Sequence, residues 1–160
     1  MTLVTVRPMT EAEYQSWSRK TAEDFATEQV ATGAWMPEGA VEKAMEENAG
    51  LLPHGLATPR MLILQGIDEL GQPIGYAWVG LDHPRGTPDT GFIYDIEIHA
   101  DRRGEGLGRA LLLALEREVQ QAGVSAIELN VFGRNRTAVS LYESAGYAVT
   151  TQQMRKSFDG

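Results

Sequence analysis

The stretch DRRGEGLGRALL, residues 101–112, decides how this chain folds. Gly104, Gly106 and Gly108 occupy every second position between a run of alternating apolar residues and a leucine-rich segment. Ordered glycine costs backbone entropy, so three so close together call for a tight turn or for something that must approach the main chain. Upstream, FIYDIEIHA reads as a strand in which Asp95 and Glu97 alternate with isoleucines. Downstream, Leu107, Leu111, Leu115 and Val119 recur at helical spacing, predicting a helix over 107–122 that Gly123 stops. SAIELNVF then alternates again. The unit over 92–132 is therefore expected to be a right-handed crossover between parallel strands.

The rest of the chain fits around that unit. LVTVRPM predicts a first strand ending at Pro8. Thr10 and Glu13 have capping-box spacing ahead of a helix carrying Tyr14, Trp17, Thr21 and Phe25. Pro37 and Glu38 suit the first turn of a second helix, with Val41, Ala44, Met45 and Asn48 on one face and an end by Gly50. MLILQGI and PIGYAWVGL, joined by DELGQ, predict an antiparallel hairpin. NRTAVSLYESAG predicts a short helix stopped by Gly146, and YAVTTQQMRKSF a final strand. The order β-α-α-β-β-β-α-β-α-β describes an α/β fold: a mixed, mostly antiparallel central sheet with helices on both faces. We read 1–160 as one domain, with residues 1–60 holding a first strand and two helices and 92–156 the strand, glycine turn and helices that follow.

Composition narrows the function. The 160 residues suffice for one hydrophobic core. With no cysteine, thiolate metal sites and a cysteine-linked intermediate are excluded, and the three scattered histidines give no metal spacing. No metal is expected. A net charge of −8 argues against binding a nucleic-acid backbone, and no apolar run approaches the ~20 residues of a membrane span. A cytoplasmic protein with no nucleic-acid or membrane partner is expected, and a homodimer stays open.

A strand, a glycine turn and a helix start together make an anion site, because first-turn amides point outward and the helix dipole favours negative charge. Arg102, Arg103 and Arg109 add positive charge there in an otherwise acidic chain. A Walker A loop is absent, since no Lys-Ser or Lys-Thr follows the glycines. The spacing G-x-G-x-G is not the dinucleotide fingerprint either. What fits is R-x-x-G-x-G, filled by Arg103, Gly106 and Gly108. Downstream, LNVFGRNRTAVSLYESAGY matches N-x-x-A-x-x-L-Y-x-x-x-G-F/Y through Asn135, Ala138, Leu141, Tyr142, Gly146 and Tyr147. In this order the two motifs resemble the GNAT superfamily of N-acetyltransferases, over about residues 92–156.

The resemblance implies acetyl-CoA as co-substrate and a small-molecule or peptide amine as acceptor. It assigns the pyrophosphate to amides of Gly104, Gly106, Leu107, Gly108 and Arg109 beside Arg103, and the pantetheine arm to main-chain groups of Ile96 and Ile98. Asn135 and Ala138 would meet the donor too, although Asn135 serves equally as a helix cap. Tyr142 would be the general acid for the departing thiolate; its other reading is a core aromatic. Glu97 is the candidate base, against an ordinary strand glutamate. Relatives that modify ribosomal proteins carry L-E-V in the next strand, where this chain has Asn130 in LNV, an amide that cannot act as a base. Direct attack in a ternary complex is the simplest mechanism without cysteine. Trp17, Phe25, Trp35 and His54, with the loop DHPRGTPDTG, are expected to line the acceptor pocket. A non-catalytic acyl-CoA sensor, another acyl donor and an O-acceptor are the alternatives.

Overall fold

Thr10 starts the first helix as its spacing predicts. Its hydroxyl accepts from Glu13 N–H at 3.2 Å, while the Glu13 carboxylate accepts from Thr10 N–H at 2.8 Å. The computed structural model describes residues 3–158, in two compact units divided after Asn130. The first unit runs β1 (Thr5–Pro8), α1 (Glu11–Ala31), α2 (Ala40–Leu51), β2 (Met61–Ile67), β3 (Pro73–Gly80), β4 (Thr90–Ile98), α3 (Leu107–Gln121) and β5 (Ala126–Leu129). The second holds α4 (Arg136–Ser144). No helix among the described residues is long and apolar enough to cross a membrane.

The sheet order is β1-β2-β3-β4-β5, antiparallel except for the β4–β5 pair, which is parallel as the crossover requires. Helices cover both faces. On one, Trp17 of α1 packs with Met9, Leu52, Ile63, Tyr76 and Trp78. On the other, Leu107 and Leu111 of α3 pack on Val4 and Ile74. Ile74 and Tyr76 are two residues apart yet serve opposite faces, because Gly66 pairs with Gly75 and Ile67 with Pro73, leaving Ile74 as the extra residue of a bulge. A second bulge lies in β4: Trp78 pairs with Asp95 and Val79 with Ile93, so Tyr94 is extra. Tyr94 stacks on Trp78 (4.6 Å between centroids) while Asp95 reaches Trp17, so neighbouring residues serve the α1 face.

Three expectations need correction. α2 begins at Ala40 behind a left-handed Gly39 (φ +74°), not at Pro37, and it buries Ala40 and Ala44 against Ala22 and Ala26 of α1 while Val41 and Met45 stay exposed. Small side chains let two helices approach closely, which outweighs the larger apolar residues one position away. β5 stops at Leu129 rather than Phe132. The final strand over 147–158 does not form; Ala148 to Phe158 is exposed and makes no ladder. A strand persists only with a paired edge and a buried face, and TTQQ and RKS leave this segment too few apolar residues for one.

In the second unit, Asn135 caps α4 by accepting from Ala138 N–H at 3.2 Å, and Gly146 (φ +99°) ends it.

Candidate active site

Beyond β4 the chain makes a single 3-10 turn (Ala100–Arg102) and enters α3 through Gly104 at φ +81° and Gly106 at φ +77°. Both angles lie in the left-handed region that glycine tolerates and β-branched residues do not. A Cβ built on either glycine meets nothing within 4 Å, so the turn is open. No side chain caps α3, which leaves its first-turn amides to other acceptors. Leu107, 2% exposed, anchors the helix start in the core, and Gly108 follows in the first turn. Of the arginines, Arg102 is committed to the fold. It bonds Asp68 at 3.0 Å and Glu105 at 3.3 Å, tying the turn to the β2–β3 hairpin. Arg103 reaches back to β4, donating from Nε to Ile98 O at 3.2 Å and from Nη2 to Glu97 Oε1 at 2.9 Å. Arg109 is exposed on α3.

β4 and β5 pair only from Thr90↔Ala126 to Ile93↔Leu129. Among the described residues, no strand pairs with β4 on its β5 side from Tyr94 onward. His99 N–H donates to Ile74 O at 2.9 Å, and antiparallel alternation then directs the main-chain groups of Glu97 and Asp95 toward β3. Those of Ile96 and Ile98 turn to the open edge. β3 and β4 are closest at Gly75, where a Cβ would lie 2.3 Å from Glu97 O.

On the α1 side, the Glu97 carboxylate is a hub. Tyr76 donates its hydroxyl proton to Oε2 at 2.7 Å, Lys20 Nζ lies 3.4 Å from both oxygens, and Arg103 holds Oε1. Lys20 also bonds Asp24 at 2.6 Å and the Tyr76 oxygen at 3.2 Å. Burial and the bond to Glu97 push the Tyr76 phenol far above its ordinary range, so it acts here as a donor. Burial alone would lower the Lys20 pKa; the Asp24 bond and the Glu97 charge outweigh it and leave the ammonium favoured.

Asp95 stands beside this hub. Trp17 Nε1 donates to its Oδ2 at 3.3 Å and the Thr21 hydroxyl donates to the same oxygen. Burial raises its pKa to about 6; the Thr21 bond opposes this and the Glu97 charge adds to it. Two carboxylates of different character thus share one face of β4, one buried and one paired with cations.

The acceptor residues expected from sequence do not come together. Trp17 lines a cavity of about 220 Å³ with Tyr14, Ser18, Met45, Asn48 and Leu52. Phe25 and Trp35 instead pack edge-to-face on each other at 5.5 Å, and His54 is exposed. The loop DHPRGTPDTG lines a separate cavity of about 310 Å³ with Arg60 and Gly123. There His83 Nδ1 accepts from Arg85 N–H at 3.0 Å and Nε2 faces Glu128 at 2.9 Å, so both ring nitrogens are used. In the second unit, Asn135 and Ala138 form the start of α4, and Tyr142 packs near Tyr147 with ring centroids 5.7 Å apart. Sequence reasoning missed Lys20, Thr21 and Tyr76. The polar Lys20–Thr21 pair, at helical spacing from Trp17, was the available signal for the first two.

The acetyltransferase (GNAT) family model matches residues 14–147. YdgE of Bacillus subtilis, an uncharacterized N-acetyltransferase, is 30% identical over 95% of this chain and 96% of its own length. The crystal structure of YycN from Bacillus subtilis superposes with a TM-score of 0.91 at 30% identity, covering 98% of this chain and 99% of that one. AAC(6')-Iy in complex with the bisubstrate analog CoA-S-monomethyl-acetylneamine shares the fold, with a TM-score of 0.62 at 16% identity and coverage of 98% and 99%. A strand that parts from its neighbour, runs into an open glycine turn and meets an uncapped helix is thus accompanied by family-wide similarity, and the chain belongs to the acetyltransferase (GNAT) family.

Proposed function

We propose that this protein, read as one domain over 1–160, moves an acetyl group from acetyl-CoA to a primary amine by direct attack in a ternary complex. The observation that carries the reading is the open edge of β4 continuing into the bare start of α3. The donor's pyrophosphate takes the amides from Gly104 to Arg109, including Gly106, Leu107 and Gly108, with Arg103 beside them. The pantetheine arm pairs with Ile96 and Ile98 as an added strand, and Asn135 and Ala138 complete the donor's contacts. The family membership and, for fold alone, the CoA-derived analog in AAC(6')-Iy support that donor.

The chemistry needs three proton movements. The acceptor ammonium gives a proton to Glu97, its nitrogen attacks the thioester carbon, the C–S bond breaks as Tyr142 protonates the thiolate, and the second proton of the attacking nitrogen passes to the tyrosinate.

Acetyl-CoA at about 100 times its Kd should stabilise the protein by about 3 kcal/mol, read as a rise in Tm. Gly106→Val, which forces a β-branched side chain into φ +77°, should abolish that rise. With a panel of amines, Tyr142→Phe should slow CoA release by on the order of 100-fold while the rise in Tm persists. Binding without turnover on any amine would identify a sensor instead.

A further inference from the structure

We propose that Lys20 is itself an acceptor, so that the protein acetylates its own first helix at this position. The proposal rests on the reading of Glu97 and the β4 edge as the catalytic centre. Lys20 Nζ lies 3.4 Å from both Glu97 oxygens and 3.2 Å from the Tyr76 hydroxyl, with the Tyr76 ring centroid 5.9 Å away. A primary ammonium of this chain thus stands at the carboxylate assigned to deprotonate the acceptor, one residue from the main-chain groups assigned to the donor. Its side chain is 51% exposed, so its far face is accessible.

The step balances as ordinary acetyl transfer. Glu97 takes a proton from the Lys20 ammonium, the freed amine attacks the thioester carbon, an amide N–C bond replaces the C–S bond, and CoA leaves as its thiol. The product carries no charge at Nζ. Its ion pairs to Asp24 and Glu97 are then lost, and both carboxylates become available to a cationic acceptor from solution.

The other two lysines serve as internal references. Lys43 lies over the Trp35 ring at 4.4 Å and Lys156 beside Phe158 at 5.8 Å, neither with a carboxylate partner among the described residues. The groups facing Lys20 are Asp24 of α1, Tyr76 of β3, and Asp95 and Glu97 of β4, with Arg103 on the far side of Glu97. Because these keep the ammonium protonated, labelling should accelerate as pH rises from 7 to 9.

The full chain is incubated with acetyl-CoA alone and its lysines are mapped by peptide mass spectrometry. Proximity should label Lys20 at least about tenfold faster than Lys43 or Lys156. Excess CoA should suppress Lys20 labelling only. In a Glu97→Gln variant that keeps the Tm response to acetyl-CoA, Lys20 should fall to the rate of the other two. Equal labelling of the three lysines, or labelling of Lys20 that ignores CoA, overturns the proposal. Amine-dependent CoA release with Lys20 unlabelled would remove self-acetylation and leave the proposed function standing. Neither a Tm response nor release with any amine would remove both.

Discussion

Replacing Asp95 by asparagine should make the protein more stable at neutral pH, by an amount the site geometry sets. Asp95 sits under Trp17 and Thr21, and burial moves its pKa from 3.8 to about 6. A group raised in this way contributes stability fully present below pH 3.8 and lost as pH rises through 6. The difference, 6 − 3.8, corresponds to about 3 kcal/mol against the folded carboxylate at pH 8, about half that at pH 5, and little below pH 4. Asparagine keeps an oxygen for the Trp17 and Thr21 donors but carries no charge, so it escapes this penalty. The assay is urea unfolding of wild type and Asp95→Asn at pH 4, 5, 6 and 8, taking the stability difference at each pH. Subtraction cancels the other carboxylates, whose own titration dominates each curve alone. The variant should gain about 3 kcal/mol between pH 4 and 8 relative to wild type. A difference independent of pH, or one that favours wild type more as pH rises, would falsify the account of Asp95 as a carboxylate ionised at the expense of stability.

Two further substitutions probe other parts of the scaffold. Arg7 grips Glu13 through two bonds of 2.8 and 2.9 Å, and that bond more than any other factor holds the Glu13 carboxyl at about 2. After discounting for its partial exposure, Glu13→Ala should cost about 1–2 kcal/mol at pH 7, a loss that fades as pH falls from 4.5 through 2; unfolding at pH 7 and pH 2.5 measures it. Gly75→Ala would press a methyl group against the Glu97 carbonyl and Ile98 Cα. It should cost about 1–3 kcal/mol and displace Glu97, visible as lost stability with altered amide shifts along β4.

What was legible in the sequence depended on range. The α1 cap is written in Thr10 and Glu13, three residues apart, and the α3 entry in glycines at left-handed angles that β-branched residues do not tolerate. Leu107, Leu111, Leu115 and Val119, four residues apart, placed the α3 core face correctly. The site's carboxylate environment was not legible, because Trp17 and Asp95 meet across 78 residues and Lys20 and Glu97 across 77. Periodicity says which residues share a face of β4, not which helix lies over it. The α2 face went to Ala40 and Ala44 because close helix packing selects for smallness, which a hydrophobic pattern does not weigh. The last strand failed for a related reason: alternation alone supplies no partner.

Arg103 also bears on how the protein survives without a ligand. Where β4 leaves β5, β4 becomes an edge of the sheet, the kind of template on which foreign strands add and aggregates grow. By clamping the Ile98 carbonyl while ion-paired to Glu97, Arg103 occupies one position on that edge with a charge. A guanidinium is a poor invitation to another chain's backbone. The same side chain proposed to lie beside the pyrophosphate therefore doubles as a guard on the open edge, and its removal should be felt first in solubility on storage.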